Sequence, residues 1–199
     1  IFQGADSAVY RGVRQTDGQS VIIKMLTGEY PSPELLARFR HEYSLLEYLH
    51  EVEGVINIHS MEKQNNQLVM YLADCGGESL EIVGQKKPFS LEIWLKLLIQ
   101  VSNIIGMVHQ KGIIHNNINP TNLIYNMTTE QVQLIDFGWA SQLSFQRPHE
   151  QSSEIIGDAL DYISPEQTGR VDQVLDQRSD YYALGATFYT LLTGATPFD

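Results

Sequence analysis

Apolar and polar positions set out two differently built halves. Strand-like runs occupy Ala8-Val9-Tyr10-Arg11-Gly12-Val13 and Val21-Ile22-Ile23-Lys24-Met25-Leu26, separated by the turn pair Asp17-Gly18. Two such runs around a turn predict a β-hairpin. Ser32-Pro33-Glu34 reads as a helix start, with a capping hydroxyl, a proline at the first helical position and an acid at the positive end. Leu35, Phe39, Leu46 and Leu49 then recur at helical spacing, and Glu42 falls inside their stripe. Short strands are predicted over 55–59 and 67–72, before a linker-like Asp74-Cys75-Gly76-Gly77. Beyond it the pattern turns helical. Ser90 caps a long amphipathic helix over 91–110 that Gly112 stops. The polar loop 115–122 leads into strands at 123–125 and 132–135, and a last helix runs from Ser179-Asp180 to Leu192, ahead of Gly194. The expectation is an α+β chain, β-rich over 1–73 and α-rich over 74–199.

Composition narrows the class. The 199 residues are 43% hydrophobic and 19% charged, enough to bury a core and too apolar for disorder. One cysteine, Cys75, excludes an intramolecular disulfide and predicts a reducing, cytoplasmic setting. The net charge of −11, −3 over 1–73 and −8 over 74–199, argues against a nucleic-acid partner. The apolar stretch at 91–110 is broken by Lys96, Gln100 and Asn103, so no membrane span is expected. No signal-peptide pattern opens the chain, whose first residue is Ile1.

Two constellations carry chemistry. Lys24 lies in an apolar strand and Glu42 in an apolar helical stripe. A buried charge without a partner costs several kcal/mol, which favours their pairing; the alternative is a snorkelling lysine and a stripe-edge glutamate. The second is the loop His115-Asn116-Asn117-Ile118-Asn119-Pro120-Thr121-Asn122, with 13 residues and two short strands between Asn122 and Asp136. A hairpin of that size presents an amide oxygen and a carboxylate at one edge, the donor types Mg²⁺ prefers. An asparagine-rich turn without a ligand is the other reading.

Together these features resemble the eukaryotic-type Ser/Thr protein kinase domain. Val21-Ile22-Ile23-Lys24 is similar to its lysine-bearing strand, Glu42 to the lysine's helix partner and residues 115–122 to its catalytic loop. Asp136-Phe137-Gly138 resembles the metal-binding triplet, Ser164-Pro165-Glu166 the end of the activation segment, and Asp180-Tyr181-Tyr182-Ala183-Leu184-Gly185 the start of the central large-lobe helix. The stretches Tyr162-Ile163-Ser164-Pro165-Glu166-Gln167-Thr168-Gly169-Arg170 and Leu191-Leu192-Thr193-Gly194 resemble the kinase domains that open bacterial, especially cyanobacterial, multidomain signalling proteins. The resemblance implies a two-lobed α+β fold, small lobe 1–73 and large lobe 74–199. It implies ATP with Mg²⁺ in the cleft between the lobes, and a protein substrate or attached signalling domains as partners. It assigns Gly4, Ser7, Val9, Lys24 and Glu42 to the nucleotide. Met70 falls at the back of the pocket, backbone groups from Tyr71 to Ala73 at the adenine edge, and Asn122 and Asp136 at the metal. It also implies that the chain starts inside the glycine-rich loop and stops before the last large-lobe helices, so that Glu166 lacks its usual arginine partner.

Departures from the family pattern cluster in the chemistry. Asn117 stands at the position of the catalytic aspartate, and an amide cannot take a proton. Asn119 stands at the position of the loop lysine, Asn116 at that of the phosphate-reading arginine and Asp158 at that of the activation-segment threonine. The three glycine positions of the phosphate loop read Phe2, Gly4 and Ser7. Nucleotide-binding residues are kept and transfer residues are changed, which predicts a pseudokinase-like domain. The alternative is an active Ser/Thr kinase that tolerates Asn117. His115, Cys75, Trp94 and Trp139 are expected to be structural, buried residues.

Overall fold

Strand β1, Phe2–Gln3, pairs with β2, Ser7–Val13, which runs antiparallel to β3, Ser20–Leu26. The hairpin therefore forms where its apolar runs predict. The computed structural model describes residues 2–4, 6–28, 30–64, 67–86, 89–143, 160–168 and 174–197. Asp158, Gly169 and Arg170, named above, lie outside the described residues. The chain divides into two compact units, Ile1–Glu51 with Val55–Gly76, and Val52–Gly54 with Gly77–Asp199.

The first unit is a five-stranded antiparallel sheet with one helix. Its strand order is β1-β2-β3-β5-β4, where β4 is Ile58–Gln64 and β5 is Gln67–Ala73. Helix α1, Pro33–Tyr48, begins as its sequence predicts, since the Ser32 hydroxyl accepts from the Leu35 N–H at 3.1 Å. Its buried face carries Phe39, Glu42, Leu45 and Leu46. Leu26, Phe39 and Met70 form a core cluster, with Leu35, Leu36 and Met61 packed against it. The fourth strand lies three residues later than the sequence predicts. Its His59-Ser60-Met61-Glu62-Lys63-Gln64 run is largely polar, as suits a strand that among the described residues pairs only with β5 at the sheet edge.

The second unit opens with β6, Glu78–Ser79, and α2, Leu80–Lys86, a helix not predicted from the sequence. The long helix α3, Leu91–Gln110, has the predicted bounds and cap, and Gly112 follows it at φ 75°. Contrary to the reading of its polar breaks, α3 has the length and the mean hydropathy, 1.5, of a membrane span. One lysine and two amides lower the mean too little. Its Trp94, Leu97, Val101, Ile105 and Val108 are buried, as in a core helix, and α3 packs on β9 and α4. Two short strands follow in sequence: β7, Ile113–Ile114, and β8, Leu123–Asn126. Then come β9, Gln131–Leu134, β10, Ser141–Gln142, and α4, Gln177–Thr193. The cap of α4 is Asp176, whose carboxylate accepts from the Arg178 N–H at 2.9 Å, so the helix starts before the predicted Ser179.

Two residues expected to be buried are not. Cys75 is half-exposed at the edge of the first unit, and Trp139 is half-buried on a tight turn after Asp136.

Candidate functional site

Lys24 sits on β3, the middle strand of the sheet. It lies opposite Val9 on one side and Met70 on the other, so these three side chains share one face. Helix α1 covers that face and turns Glu42 toward Lys24. The Lys24 Nζ lies 2.7 and 2.8 Å from the two carboxylate oxygens of Glu42, whose side chain is 5% exposed. Of the two arrangements the sequence left open, the ion pair is the one formed. Gly4 links β1 to β2 and donates its N–H to the Ser7 carbonyl at 2.9 Å; Ser7 opens β2 opposite Leu26.

The residues expected around the adenine are placed less freely. Met70 is fully buried in the core cluster behind Lys24. Tyr71 and Ala73 lie opposite Ile23 and Val21 of β3, and the Ala73 N–H donates to the Asn57 carbonyl at 2.8 Å. That donor is spent within the first unit. The next residue, Asp74, is held by Arg11 at 2.7 Å, the Ser20 hydroxyl at 2.6 Å and the Gly76 N–H at 2.8 Å. Burial pushes the Asp74 carboxyl upward, but these three partners outweigh it and hold the group below its ordinary range.

In the second unit, the β8–β9 hairpin builds the loop end. Leu123 pairs with Leu134, and the Ile135 N–H donates to the Asn122 carbonyl at 3.0 Å. Asn122 and Asp136 thus flank the same end of the hairpin, as their spacing predicts. The Asn122 Nδ2 donates to the Asn117 carbonyl at 2.8 Å, which leaves Oδ1 as the outward atom of that amide. Asp136 has φ 65° and Asn116 has φ 63°, two of the three non-glycine residues at positive φ among those described. Such strained backbone gathers where the surroundings over-determine it.

What over-determines Asn116 is Asp180. Fully buried in the first turn of α4, its carboxylate accepts from the N–H of Asn116 at 2.8 Å and of His115 at 2.9 Å. His109 Nε2 lies 2.8 Å from the same group and must donate, because a carboxylate only accepts. The Asn116 Nδ2 donates to the Trp139 carbonyl at 3.0 Å and the Ser141 hydroxyl at 2.9 Å. Gln167 Nε2 donates to the Asn116 carbonyl at 2.8 Å. Asn116 thereby ties the loop to the segments on both sides, while its own Oδ1 is buried with no hydrogen-bond partner among the described residues.

His115 is fully buried, edge-on to the Phe137 ring at 4.7 Å. Its Nε2 donates to the Ile135 carbonyl at 3.0 Å, and its Nδ1 accepts from the Asn117 N–H at 3.3 Å. That network needs the neutral ring. Burial pushes the His115 pKa down, against the opposing pull of Asp180, Ile135 and Asp136.

Asn119 is the N-cap of the short turn Pro120–Asn122. Its Oδ1 accepts from the Thr121 N–H at 2.9 Å and the Asn122 N–H at 3.3 Å. Its Nδ2 donates to the Asn117 carbonyl at 3.2 Å and to Asn117 Oδ1 at 3.0 Å. Both ends of the Asn119 amide are engaged within the loop. Glu166, expected to lack its partner, accepts from the Ser179 hydroxyl at 2.7 Å.

An ion-paired lysine on a five-stranded sheet, and a polar loop anchored on a buried helix-borne aspartate, are the parts of a protein kinase domain. The chain belongs to that family: the protein kinase domain pattern matches residues 1–199. It is 33% identical to serine/threonine-protein kinase pkn2 of Myxococcus xanthus over the whole of this chain and 24% of that protein. It is 32% identical to serine/threonine-protein kinase PknA of Mycobacterium tuberculosis, covering 46% of it. Probable serine/threonine-protein kinase PknB of Lactococcus lactis is 29% identical, with 31% of its length covered. The chain therefore spans less than half the length of these relatives.

Sequence reasoning missed Asp180 and His109 as the support of the loop. The pattern that would have found them is the one that singled out Glu42. Asp180, Ala183, Leu184 and Thr187 fall on one buried face of α4, so a carboxylate there needs partners.

Proposed function

We propose that this chain is an ATP- and Mg²⁺-binding kinase-like domain of a cytoplasmic signalling protein, in which phosphotransfer is weak or absent. In this reading Lys24, held by Glu42, meets the nucleotide phosphates, with Gly4, Ser7 and Val9 beside them. The outward Oδ1 of Asn122 and the carboxylate of Asp136 supply oxygen ligands to Mg²⁺, which would neutralise phosphate charge when bound. The donor set suits that ion: hard oxygens, two from the protein, with phosphate and water completing the shell. The partner is a protein substrate or signalling domains joined to this one.

The observation that carries the reading is the amide pair Asn117 and Asn119. Neither can supply a base or a cation, and both ends of Asn119 are already bound inside the loop. General-base catalysis contributes roughly 10²–10⁴-fold, and loss of a cation at the transferred group adds to that loss. The intact Lys24–Glu42 pair favours a second reading, an active Ser/Thr kinase. One experiment separates them. ATP with Mg²⁺ should raise the thermal midpoint, because a ligand of the folded state stabilises it. Radiolabelled transfer to a generic protein substrate should run at least about a hundredfold slower than in the Asn117→Asp, Asn119→Lys, Asp158→Thr variant at equal nucleotide occupancy. Equal rates would establish the active kinase; no thermal shift at millimolar ATP would remove both readings.

A further inference from the structure

The direction in which Asn117 presents its amide is fixed by the loop, and it is the opposite of what a base would present. The N–H groups of Thr121 and Asn122 can only donate, and they point at one atom of the Asn119 side chain, at 2.9 and 3.3 Å. That atom must be the oxygen. A flipped amide would set an NH2 group against two N–H donors in a residue that is 5% exposed. The NH2 of Asn119 therefore faces Asn117, 3.2 Å from its carbonyl oxygen and 3.0 Å from its side chain. The Asn117 side-chain atom that meets this donor must in turn be an acceptor, Oδ1. What Asn117 turns away from the clamp is Nδ2, for which no hydrogen-bond partner is found among the described residues.

We infer that Asn119 is a positioning residue that locks the Asn117 amide with its NH2 outward. The loop then turns two N–H donors outward at the position where the family has its aspartate, while Oδ1 faces the Asn119 NH2. An NH2 group donates to a phosphoryl oxygen, and to a hydroxyl through that hydroxyl's lone pair, and it takes no proton from either. The ligand class is a phosphoryl group, either on a phosphorylated serine side chain or on a nucleotide. The inference rests on reading residues 115–122 as the loop that meets the transferred group. It does not depend on whether ATP binds.

The test uses ¹⁵N-labelled protein and the side-chain NH2 signals of Asn117 and Asn119. Hydrogen exchange should find the Asn119 NH2 protected and the Asn117 NH2 exchanging at least about tenfold faster. Asn119→Asp keeps the cap, since aspartate caps as well as asparagine, but removes the donor that faces Asn117. The Asn117 amide should then turn over, and its NH2 should become the protected one. A residue with a merely structural role would not convert the Asn117 NH2 from fast-exchanging to protected. A protected Asn117 NH2 in the unaltered protein, or an Asn117 NH2 that gains no protection in a folded Asn119→Asp variant, overturns the clamp. Phosphoserine, serine and magnesium-bound non-hydrolysable ATP are then titrated separately. A shift of the Asn117 NH2 signals with phosphoserine but not serine assigns the side-chain source, and a shift with the nucleotide alone assigns the nucleotide. The uncharged Asn117→Ala variant should bind the effective ligand at least about tenfold more weakly, the usual loss for a charge-assisted hydrogen bond. No shift with either phosphoryl ligand, equal shifts with serine, or unchanged affinity in Asn117→Ala overturns the ligand assignment. A failed ATP thermal shift beside a positive phosphoserine arm would remove the nucleotide reading alone.

Discussion

Breaking the Lys24–Glu42 pair one side at a time should cost more than removing it whole. Both carboxylate oxygens of Glu42 lie within 2.8 Å of Nζ, and the side chains are 15% and 5% exposed. On the face they share, Leu26, Phe39 and Met70 leave little access for water. Lys24→Met takes the ammonium away from both Glu42 oxygens, and Glu42→Gln takes the carboxylate charge away from Lys24. Each single change should cost about 3–5 kcal/mol, the range for breaking a buried ion pair by removing one member. The double variant abandons neither charge, so its cost should fall below the sum of the two by about 2–4 kcal/mol. That coupling is large beside a total stability of roughly 5–15 kcal/mol. Urea unfolding of the four proteins, followed by far-ultraviolet circular dichroism, measures it; slopes of about 1–3 kcal/mol per molar turn a 3 kcal/mol loss into a midpoint shift of roughly 1–3 M. Single costs that add to within about 0.5 kcal/mol would refute the argument, because groups that do not interact are additive.

Two further outcomes follow from the second unit. Because burial lowers the His115 pKa below its ordinary 6.5, the unfolded chain takes up a proton before the folded one does. The stability tied to His115 is therefore complete above pH 6.5 and is lost as the pH falls through that value toward the folded pKa. The slope is at most about 1.4 kcal/mol per pH unit. His115→Gln should flatten the dependence of the urea midpoint between pH 7 and pH 5, with His109, Asp180 and Asp136 unchanged as neighbours; an identical slope in the variant would reject it. Gly54→Ala should lower the thermal midpoint by roughly 5–15 °C, since Gly54 has φ 84° and an added Cβ would lie 2.4 Å from Ile104 Cγ1. Gly112→Ala, at φ 75° with no atom of the described residues within 4 Å of the added Cβ, carries the conformational cost alone and should lower it less; equal shifts would exclude the clash at Gly54.

Much of the fold could be read from the chain because its helix ends carry their own chemistry. Ser32 and Ser90 cap where they were expected to, and Gly112 and Gly194 follow helices at positive φ. The misplaced elements share a reason: their local pattern is overruled by what they pack against. Helix α2 has only seven residues and includes Gly84, too short for a stripe to register against the glycine's helical cost. Strand β4 lies on the sheet edge, so polar residues are tolerated along it and the apolar run just before it misleads. Ser179 looks like a cap but gives its hydroxyl to Glu166, leaving the cap to Asp176.

The residues of the loop were legible and their orientation was not. Spacing brings Asn122 beside Asp136 because two four-residue strands separate them, which is a local matter. The direction of each amide is set by groups that sequence order does not rank. Backbone donors of Thr121 and Asn122 orient Asn119, Asn119 orients Asn117, and Asp180, 64 residues past Asn116, pins the backbone from below. None of these holding contacts requires a charge at position 117 or 119. An amide caps the turn as well as any side chain could, and the carboxylate that supports the loop lies on α4, outside it. Shape and charge in this loop are thus separable. Exchanging an aspartate for an asparagine at 117 can alter what the loop binds while the supports from Asp180 and His115 stay in place, whereas the cap at 119 needs an acceptor that a lysine lacks. The same separation predicts that restoring the acid at 117 would turn the outward atom from donor to acceptor without moving the chain around it.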